Sequence, residues 1–375
     1  MATVTKTIGT SSRDYSTISA WEADLSDGSI YSNGDDAVGE MYADSTFTGA
    51  TTTIDGGTSI GGSAGQNLNS VKLTVASASR HDGTAESGAL LKPTSGSGHN
   101  QGIIRINVDN VTVEWLDISL DSLDSTNTNK AIVLVGTNND NIIRNNLIHD
   151  KGGNPGNTGP FGIHVIAAGA SSDSIYILNN IIYNFVETSN DSAAGILMNL
   201  WAGNLYIYNN TIYNIQGAGG SKHGIGIRFG NPSSSNTRIK NNIASKCQGS
   251  NLDAPYWKNS SGSTVDSANN LSDDTATATY NAEDMGQNIN DSSALIGKTL
   301  AEIAFVSTTA GSEDLHITAD SVCVDAGTDL GTAGGSQIDI NGRDRDSQGD
   351  TWDIGAHEFV ADADTTGAAF IMFVD

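Results

Sequence analysis

Hydrophobic and polar residues alternate in short segments that recur along the middle of the chain. The segment SIYILNNIIYNF, at residues 174–185, is repeated almost unchanged as NLYIYNNTIYNI at residues 204–215. In both, apolar side chains occupy every second position on either side of a pair of asparagines. Period-two alternation bounded by Asn, Gly and Ser predicts short β-strands with one buried face.

The asparagine pair recurs beyond these two segments at a nearly constant spacing. The second asparagine of each pair falls at Asn146, Asn180, Asn210, Asn242 and Asn270, with spacings of 34, 30, 32 and 28 residues. Repeats of this length are typical of stacked-repeat architectures. We expect these asparagines to lie at one bend of successive coils and to hydrogen-bond to one another as a ladder, because a buried bend needs its polar groups satisfied.

A second short strand precedes most of these pairs: AIVLV from Ala131, GIHVI from Gly162, GILMN from Gly195 and GIGIRF from Gly224. No helical periodicity separates the strands, which argues against alternating β and α units. The pattern predicts an all-β solenoid whose coils pair in parallel at about 4.8 Å. The side chains expected to point into its core are Ile163, Val165, Ile175, Ile177, Ile182, Ile196, Met198, Leu205, Ile207, Ile212, Ile225 and Ile227.

The blocks NNLIHD, NNIIYNF, NNTIYNI and NNIASKC resemble the right-handed parallel β-helix repeat of pectate-lyase-like proteins over about residues 100–275. This resemblance implies a right-handed parallel β-helix. A short N-terminal capping helix and a C-terminal cap are expected, because open ends would expose the core and unpaired strand edges. The resemblance is specific for the fold and uninformative about function, because the scaffold carries lyases, hydrolases, epimerases, adhesins and viral spikes.

We divide the chain into four stretches of one structural domain. They are an N-terminal cap with irregular first coils in residues 1–100, regular coils in 101–275, last coils with a C-terminal cap in 276–360, and an apolar tail in 361–375.

Two short helices are predicted outside the regular coils. Ile18, Trp21 and Leu25 recur at helical spacing, and Ser19 with Glu22 matches a capping box, so a helix is expected over the first coil. The segment ALIGKTLAEIAFV, at residues 294–306, suggests a second helix beside the last coils.

Near the C-terminus, DINGRDRDSQGDTWDIGAHEF resembles the closing segment of many bacterial and viral β-helix proteins. In this segment we expect a buried Arg343 held by carboxylates such as Asp353 or Glu358, because the guanidinium fork pairs well with them. The spacing lacks a full calcium-loop pattern. The alternative is a cation loop formed by Asp339, Asn341 and Asp344.

Acidic residues outnumber basic ones by 43 to 18, and the formal net charge is −25. Such a chain repels phosphate backbones and anionic bilayers, so neither nucleic acid nor membrane is expected as a partner. No cofactor is expected, although Ca²⁺ stays open as a bound cation because it prefers oxygen ligands. Cys247 and Cys323 are far apart and are expected to be buried free thiols. The N-terminus lacks the apolar run of a signal peptide, so synthesis in the cytoplasm of a host cell is expected.

Chemistry on this scaffold is carried by outward-facing side chains and by loops, because the inward side chains fill the core. If Ile163 and Val165 point inward, His164 points outward. The same register places Leu197, Asn199, Gly226 and Arg228 on the outer surface, with Lys222, His223, Asp150 and Lys151 in adjoining loops of the same patch.

A polysaccharide lyase needs a base and a cationic group at the uronate. The candidates for these roles are His164, Lys222, His223 and Arg228. A glycoside hydrolase needs two facing carboxylates, and the regular coils show no paired Asp on successive outward positions.

Aromatic residues form two rows with the same repeat: Tyr176 with Tyr206, and Tyr183 with Tyr213. Such rows can pack against sugar rings, but they also simply stabilise stacked coils, and we favour stabilisation. The candidates for glycan binding are Trp201, Tyr206, Tyr208 and Arg228.

From these patterns we expect a non-catalytic or weakly catalytic recognition or structural protein of a virion, such as a phage spike, fibre or head decoration. Its N-terminal TKTIGTSSRDYSTISAWEADL resembles the opening of many phage-encoded β-helix proteins. The expected partners are host-surface polysaccharide and other virion proteins at the virion surface, with a homotrimer assembled through the apolar tail. The alternative is a polysaccharide lyase or another carbohydrate-active enzyme.

Overall fold

The computed structural model of the chain describes residues 1–49, 51–55, 67–94, 102–121, 123, 129–136, 140–151, 159–166, 170, 172–187, 192–199, 203–217, 223–229, 236–249, 252–258, 265–273, 293–348 and 351–361. These residues form a parallel β-solenoid, which confirms the predicted fold class. The apolar tail predicted at 361–375 lies, beyond residue 361, outside the described residues. Among the described residues, no helix has the length and apolar character needed to cross a bilayer.

Three parallel sheets form the faces of the solenoid, and through the regular coils the chain visits them in the order A, B, C. Strands are numbered along the chain. Sheet A contains β1 (Thr3–Ile8), β2 (Asp36–Met41), β4 (Ser70–Val75), β7 (Val111–Glu114), β10 (Asn141–Arg144), β13 (Ser174–Leu178), β16 (Asn204–Tyr208), β19 (Asn236–Lys240) and β22 (Val265–Ala268). Sheet B contains β5 (Leu90–Leu91), β8 (Asp117–Ser119), β11 (Leu147–Lys151), β14 (Ile181–Glu187), β17 (Thr211–Gly217), β20 (Ile243–Gly249) and β23 (Leu271–Ser272). Sheet C contains β3 (Thr52–Ile54), β6 (Ile104–Ile106), β9 (Lys130–Leu134), β12 (Phe161–Val165), β15 (Ala193–Met198), β18 (His223–Phe229) and β21 (Leu252–Lys258).

Outside the coils lie an antiparallel hairpin, formed by β24 (Phe305–Thr309) and β25 (Ser312–Ile317), and two short helices. Helix α1 (Ile18–Ala23) buries Ile18 and Trp21 and confirms the predicted N-terminal helix. Its cap differs from the prediction, because the hydroxyl of Thr17, and not that of Ser19, accepts the first-turn N–H. The second helix, α2 (Leu300–Ile303), is only four residues long, shorter than the predicted segment.

The core follows the predicted alternation on sheets A and B, where the six predicted side chains are completely buried. Sheet C departs from strict alternation. Ile225 packs with Ala194 and Leu197 in a cluster separate from the main core that holds Ile227. The prediction that Ile225 points into the core is therefore wrong.

The cause is a column of small residues in the middle of the sheet C strands. An added Cβ at Gly162 would lie 2.8 Å from the Ile182 side chain, and one at Gly195 would lie 2.7 Å from Ile212. Sheets B and C therefore approach each other here too closely for a side chain. Two consecutive positions face the interior, and the residue before each glycine is turned outward.

The predicted asparagine ladder is confirmed. Each amide nitrogen donates to the side-chain oxygen of the next coil's asparagine: Asn146 to Asn180 at 3.0 Å, Asn180 to Asn210 at 2.9 Å, Asn210 to Asn242 at 3.0 Å and Asn242 to Asn270 at 3.0 Å. The same oxygens accept the backbone N–H of the preceding asparagine. All five side chains are buried with these groups paired, as a buried polar column requires.

The first asparagine of each pair has a different structural role, which is to bind the C-terminal segment. Asn145, Asn179, Asn209, Asn241 and Asn269 all adopt the left-handed backbone region, with φ between 52° and 56°. Each donates its side-chain amide outward to a backbone carbonyl of residues 326–339. The C-terminal segment therefore lies along the flank of the solenoid, beside the corner between sheets A and B, and runs back toward earlier coils.

The buried arginine of this segment is Arg345, which corrects the prediction of Arg343. The Arg345 guanidinium is fully buried and donates to Glu358 Oε2 at 2.5 Å and to the Gly355 carbonyl at 2.8 Å. Arg343 is exposed and reaches only the Glu358 backbone carbonyl at 3.1 Å. Burial raises the pKa of Glu358 to about 7, although the charge of Arg345 opposes this shift.

The Asp339 carboxylate, part of the alternative cation loop, is engaged by backbone N–H groups. One oxygen of Asp339 accepts the N–H groups of Asn341 and Arg343, and the other accepts that of Glu358. These bonds hold the turn. Cys247 and Cys323 are buried free thiols, as predicted.

Loss of one ladder rung should destabilise the whole solenoid. Asn210→Ala removes the partners of the Asn180 amide and of the Ile177 and Tyr208 carbonyls, and we expect a loss of about 2–4 kcal/mol in the free energy of unfolding. Urea denaturation measures it. Asn236→Ala is the control, because Asn236 is exposed and makes one weak amide contact; equal losses in the two variants would contradict the role of the ladder.

Candidate functional site

The outer face of sheet B is covered by the C-terminal part of the chain. Tyr183 and Tyr213, directly paired between β14 and β17, are buried with Leu315, Ile340 and Phe305. This row of tyrosines is therefore structural, as favoured from the sequence. The hairpin β24–β25 that covers it forms one wall of a cleft.

The opposite wall of the cleft comes from a bend that recurs in the strands of sheet B. Asp150, Asn184, Asn214 and Lys246 occupy equivalent positions in β11, β14, β17 and β20, and all have φ between 54° and 59°. Asp and Asn tolerate this left-handed region because their short side chains bond locally. The bend turns the four side chains outward in one column.

The cleft between this column and the hairpin has a volume of about 380 Å³. Val186, Thr308 and Ala310 supply part of its surface. The polar and aromatic residues that line it are Asp121, Asp150, Asn184, Tyr213, Asn214, Lys246 and Glu313.

Hydrogen bonds connect these side chains across the cleft. Asn184 Nδ2 donates to Asp150 Oδ1 at 3.0 Å and to Glu313 Oε1 at 2.7 Å, which joins the coil to the hairpin. Asn214 Nδ2 donates to Asn184 Oδ1 at 2.7 Å. The second oxygen of Glu313 accepts the N–H of Gly311 at 2.9 Å. The wall is therefore a preorganised row of amides and carboxylates.

His149 determines the charge state of Asp150, which lies at one end of the column. Its ring lies between Asp117 and Asp150, with Nε2 and Nδ1 each 2.8 Å from a carboxylate oxygen, and it stacks on Tyr183 at 5.5 Å. Burial alone disfavours the charged ring, but the two carboxylates raise the pKa of His149 to about 9. Burial would likewise raise the pKa of Asp150, but the neighbouring imidazolium holds it below its usual value. Asp150 is thus ionised at neutral pH.

The cleft brings two carboxylates, those of Asp150 and Glu313, close together. The Asp150 and Glu313 oxygens that share the Asn184 amide are less than about 6 Å apart, a separation compatible with a retaining glycosidase pair. A hydrolase also needs one of the two as a proton donor. Here Asp150 is held ionised, and both oxygens of Glu313 accept donated hydrogen bonds.

The predicted lyase patch is divided between two faces. His164, His223 and Arg228 lie together on sheet C, where Arg228 and His223 contact the Trp257 ring at 4.4 and 4.7 Å. Asp150 and Lys151 belong to sheet B, so their placement in the same patch is wrong. Lys222 lies outside the described residues.

The candidate base His164 is 4% exposed and contacts Asn199 at 3.0 Å. Burial, together with the charges of Lys130 and Arg228, lowers the pKa of His164 to about 3. The ring is neutral but enclosed, which leaves its nitrogens little access to a polymer.

The predicted glycan-binding residues are also not brought together. Tyr206 and Tyr208 lie on sheet A and Arg228 on sheet C, while Trp201 is outside the described residues. Tyr206 stacks on Tyr176 at 4.6 Å and 7°, and Arg238 covers its other face at 4.9 Å. Both ring faces of Tyr206 are therefore occupied, and Tyr208 is buried.

Sequence reasoning identified none of the cleft residues as one site. The aligned blocks IHDK, IYNF, IYNI and ASKC do contain the column Asp150, Asn184, Asn214 and Lys246. The second wall comes from Glu313, 129 residues beyond Asn184. The hairpin is not part of the sequence repeat, so the repeat could not predict that the hairpin and the coils form a cleft.

No protein-family model matches the chain, and no curated protein shows a significant match to it. In the part of the chain that the structure describes, no three His, Cys, Asp or Glu side chains are grouped to hold a metal ion.

Because His149 is protonated in the folded chain, the stability of the fold should decrease at alkaline pH. Its pKa is about 9 in the folded chain and about 6.5 in an unfolded chain. The stabilisation of the folded state by protonated His149 is therefore fully present below about pH 6.5 and is lost as the pH rises through 9. We expect thermal denaturation of the parent to show a falling Tm between pH 7 and 10.

His149→Gln should flatten this decline, and His223→Gln, a partly buried histidine on sheet C, should keep it. A His149 ring that titrates near 6.5 by NMR would contradict the assignment.

Proposed function

We propose that the protein is a virion-associated recognition protein that binds a host-surface glycan in the cleft between sheet B and the β24–β25 hairpin. The observation that carries this proposal is the row of preorganised donors and acceptors along the cleft wall. A glycan hydroxyl both donates and accepts, so it can bond to an amide and to a carboxylate in the same row.

The dimensions and surroundings of the cleft support a sugar ligand. Its volume lies in the range of small-molecule sites. Carboxylates such as Asp150 and Glu313 bind hydroxyl donors through charge-assisted hydrogen bonds, which are stronger than neutral ones. Because Asn184 and Asn214 are already held by neighbours, little ordering entropy is lost when a ligand binds.

The virion assignment rests on resemblance and on scaffold. The N-terminal segment resembles the opening of phage-encoded β-helix proteins, and the solenoid provides a stiff array of stacked coils. Such an array suits the display of a binding surface. A lyase on sheet C remains the alternative, for which His164, His223 and Arg228 are the residues to test.

The cleft should bind glycan without turning it over. We expect Glu313→Gln to weaken glycan binding about tenfold, because a charge-assisted hydrogen bond to the ligand is lost while the side-chain shape is kept. Binding is measured by glycan array and calorimetry, with product analysis of the same samples.

The matched control is Asp266→Asn, an exposed carboxylate on sheet A that pairs with Lys240. Equal glycan binding by the parent and by Glu313→Gln would reject the cleft as the binding site. Unsaturated products that disappear in His164→Ala would support the lyase instead.

Assembly is a separate prediction. We propose a homotrimer held by the apolar tail, as the resemblance to viral β-helices implies. Sedimentation equilibrium of the full chain should yield three times the 38.9 kDa chain mass, and removal of residues 361–375 should lower the mass to that of one chain. A full-length monomer would contradict the trimer.

A further inference from the structure

Lys246 stands out in the column that lines the cleft. The three equivalent positions hold Asp150, Asn184 and Asn214, residues that tolerate a left-handed backbone, whereas Lys246 has φ 54° with a long side chain that lacks the short amide or carboxylate of Asn and Asp. The fold at this position would be served better by asparagine. Strained residues that the surrounding structure holds in place cluster at catalytic and ligand-binding sites.

The surroundings of the Lys246 amine point to a ligand. Within the described part of the chain, five other lysines place Nζ within 4.0 Å of a carboxylate: Lys6, Lys72, Lys92, Lys240 and Lys298. Among the described residues, Lys246 Nζ has no such carboxylate, and its contact is the Tyr213 ring at 5.4 Å. The amine thus lines the cleft with its hydrogen-bond donors directed to no acceptor of the described chain.

Charge is separated along the cleft. Asp150 and Lys246 are three coils apart, about 14 Å at the usual spacing between parallel strands. Glu313 and the ionised Asp150 make one end acidic, with Asn184 beside them. The other end carries the ammonium group of Lys246 beside an aromatic ring. A ligand that fills the cleft therefore meets opposite charges at its two ends.

We infer that the cleft selects a glycan that carries a carboxylate on one sugar and only neutral sugars beside it. The carboxylate pairs with Lys246, and hydroxyl groups of the neighbouring neutral sugars donate to Asp150 and Glu313. A polyuronate is disfavoured, because its next carboxylates would lie against the acidic end. This inference rests on the proposed glycan binding and assigns its specificity to one residue.

The test compares one oligosaccharide that has a single carboxylated sugar with the same oligosaccharide after reduction of that carboxylate to an alcohol. We expect the parent to bind the carboxylated form about tenfold more tightly, as a charge-assisted pair would give. Lys246→Asn should remove that preference and raise Tm, because asparagine relieves the strained backbone. Lys246→Arg should keep the preference, since the charge is retained.

The outcomes separate the two proposals. Binding of both oligosaccharides with equal affinity by the parent, or an unchanged preference in Lys246→Asn, would overturn the role of Lys246 while leaving glycan binding in place. Tighter binding of a polyuronate than of the singly carboxylated form would overturn the inferred charge selection. Absence of glycan binding by the parent would reject both the proposed function and the inference.

Discussion

Register between successive coils is the constraint on which this structure depends, and the buried asparagine ladder enforces it. Each rung satisfies a backbone amide and a side-chain amide of the coil before it. A slip of one residue would leave these groups buried without partners and would exchange the inward and outward faces of a strand. Every column described above, whether aliphatic, aromatic or polar, inherits its alignment from this ladder.

The same bend also determines where the C-terminal segment docks. Because the first asparagine of each pair adopts the left-handed region, its side chain points away from the core and donates to residues 326–339. Arg345 anchors this segment between Glu358 and the coils. One repeated dipeptide therefore supplies both the internal ladder and the external attachment, and the hairpin that closes the cleft precedes this attached segment in the chain.

Electrostatics in the cleft arise from local pairing rather than from the overall charge of −25. The imidazolium of His149 compensates Asp117 and Asp150, which lets an acidic cluster lie against the buried tyrosines at low cost. It also keeps Asp150 an acceptor at neutral pH. A carboxylate fixed in this state accepts hydrogen bonds and does not serve as a proton donor at neutral pH.

The sequence alone determined the solenoid, the ladder and the inward faces of sheets A and B, because each follows from a local period that repeats from coil to coil. It also pointed to a short N-terminal helix and two free thiols. The prediction from sequence that Ile225 points into the core was wrong, because the close approach of sheets B and C at the glycine column changes which residue faces inward.

Only the tertiary structure decided the rest. Arg343 and Arg345 are each adjacent in sequence to an aspartate, so the sequence does not distinguish them. The packing of residues 326–358 on the coils determines which of the two is buried. The patch around His164 and the cleft beside Asp150 could not be told apart from spacing, because residues on different faces share one repeat. The cleft joins Asn184 to Glu313 across a sequence distance that no periodicity spans, so its existence depends on packing of the hairpin against sheet B.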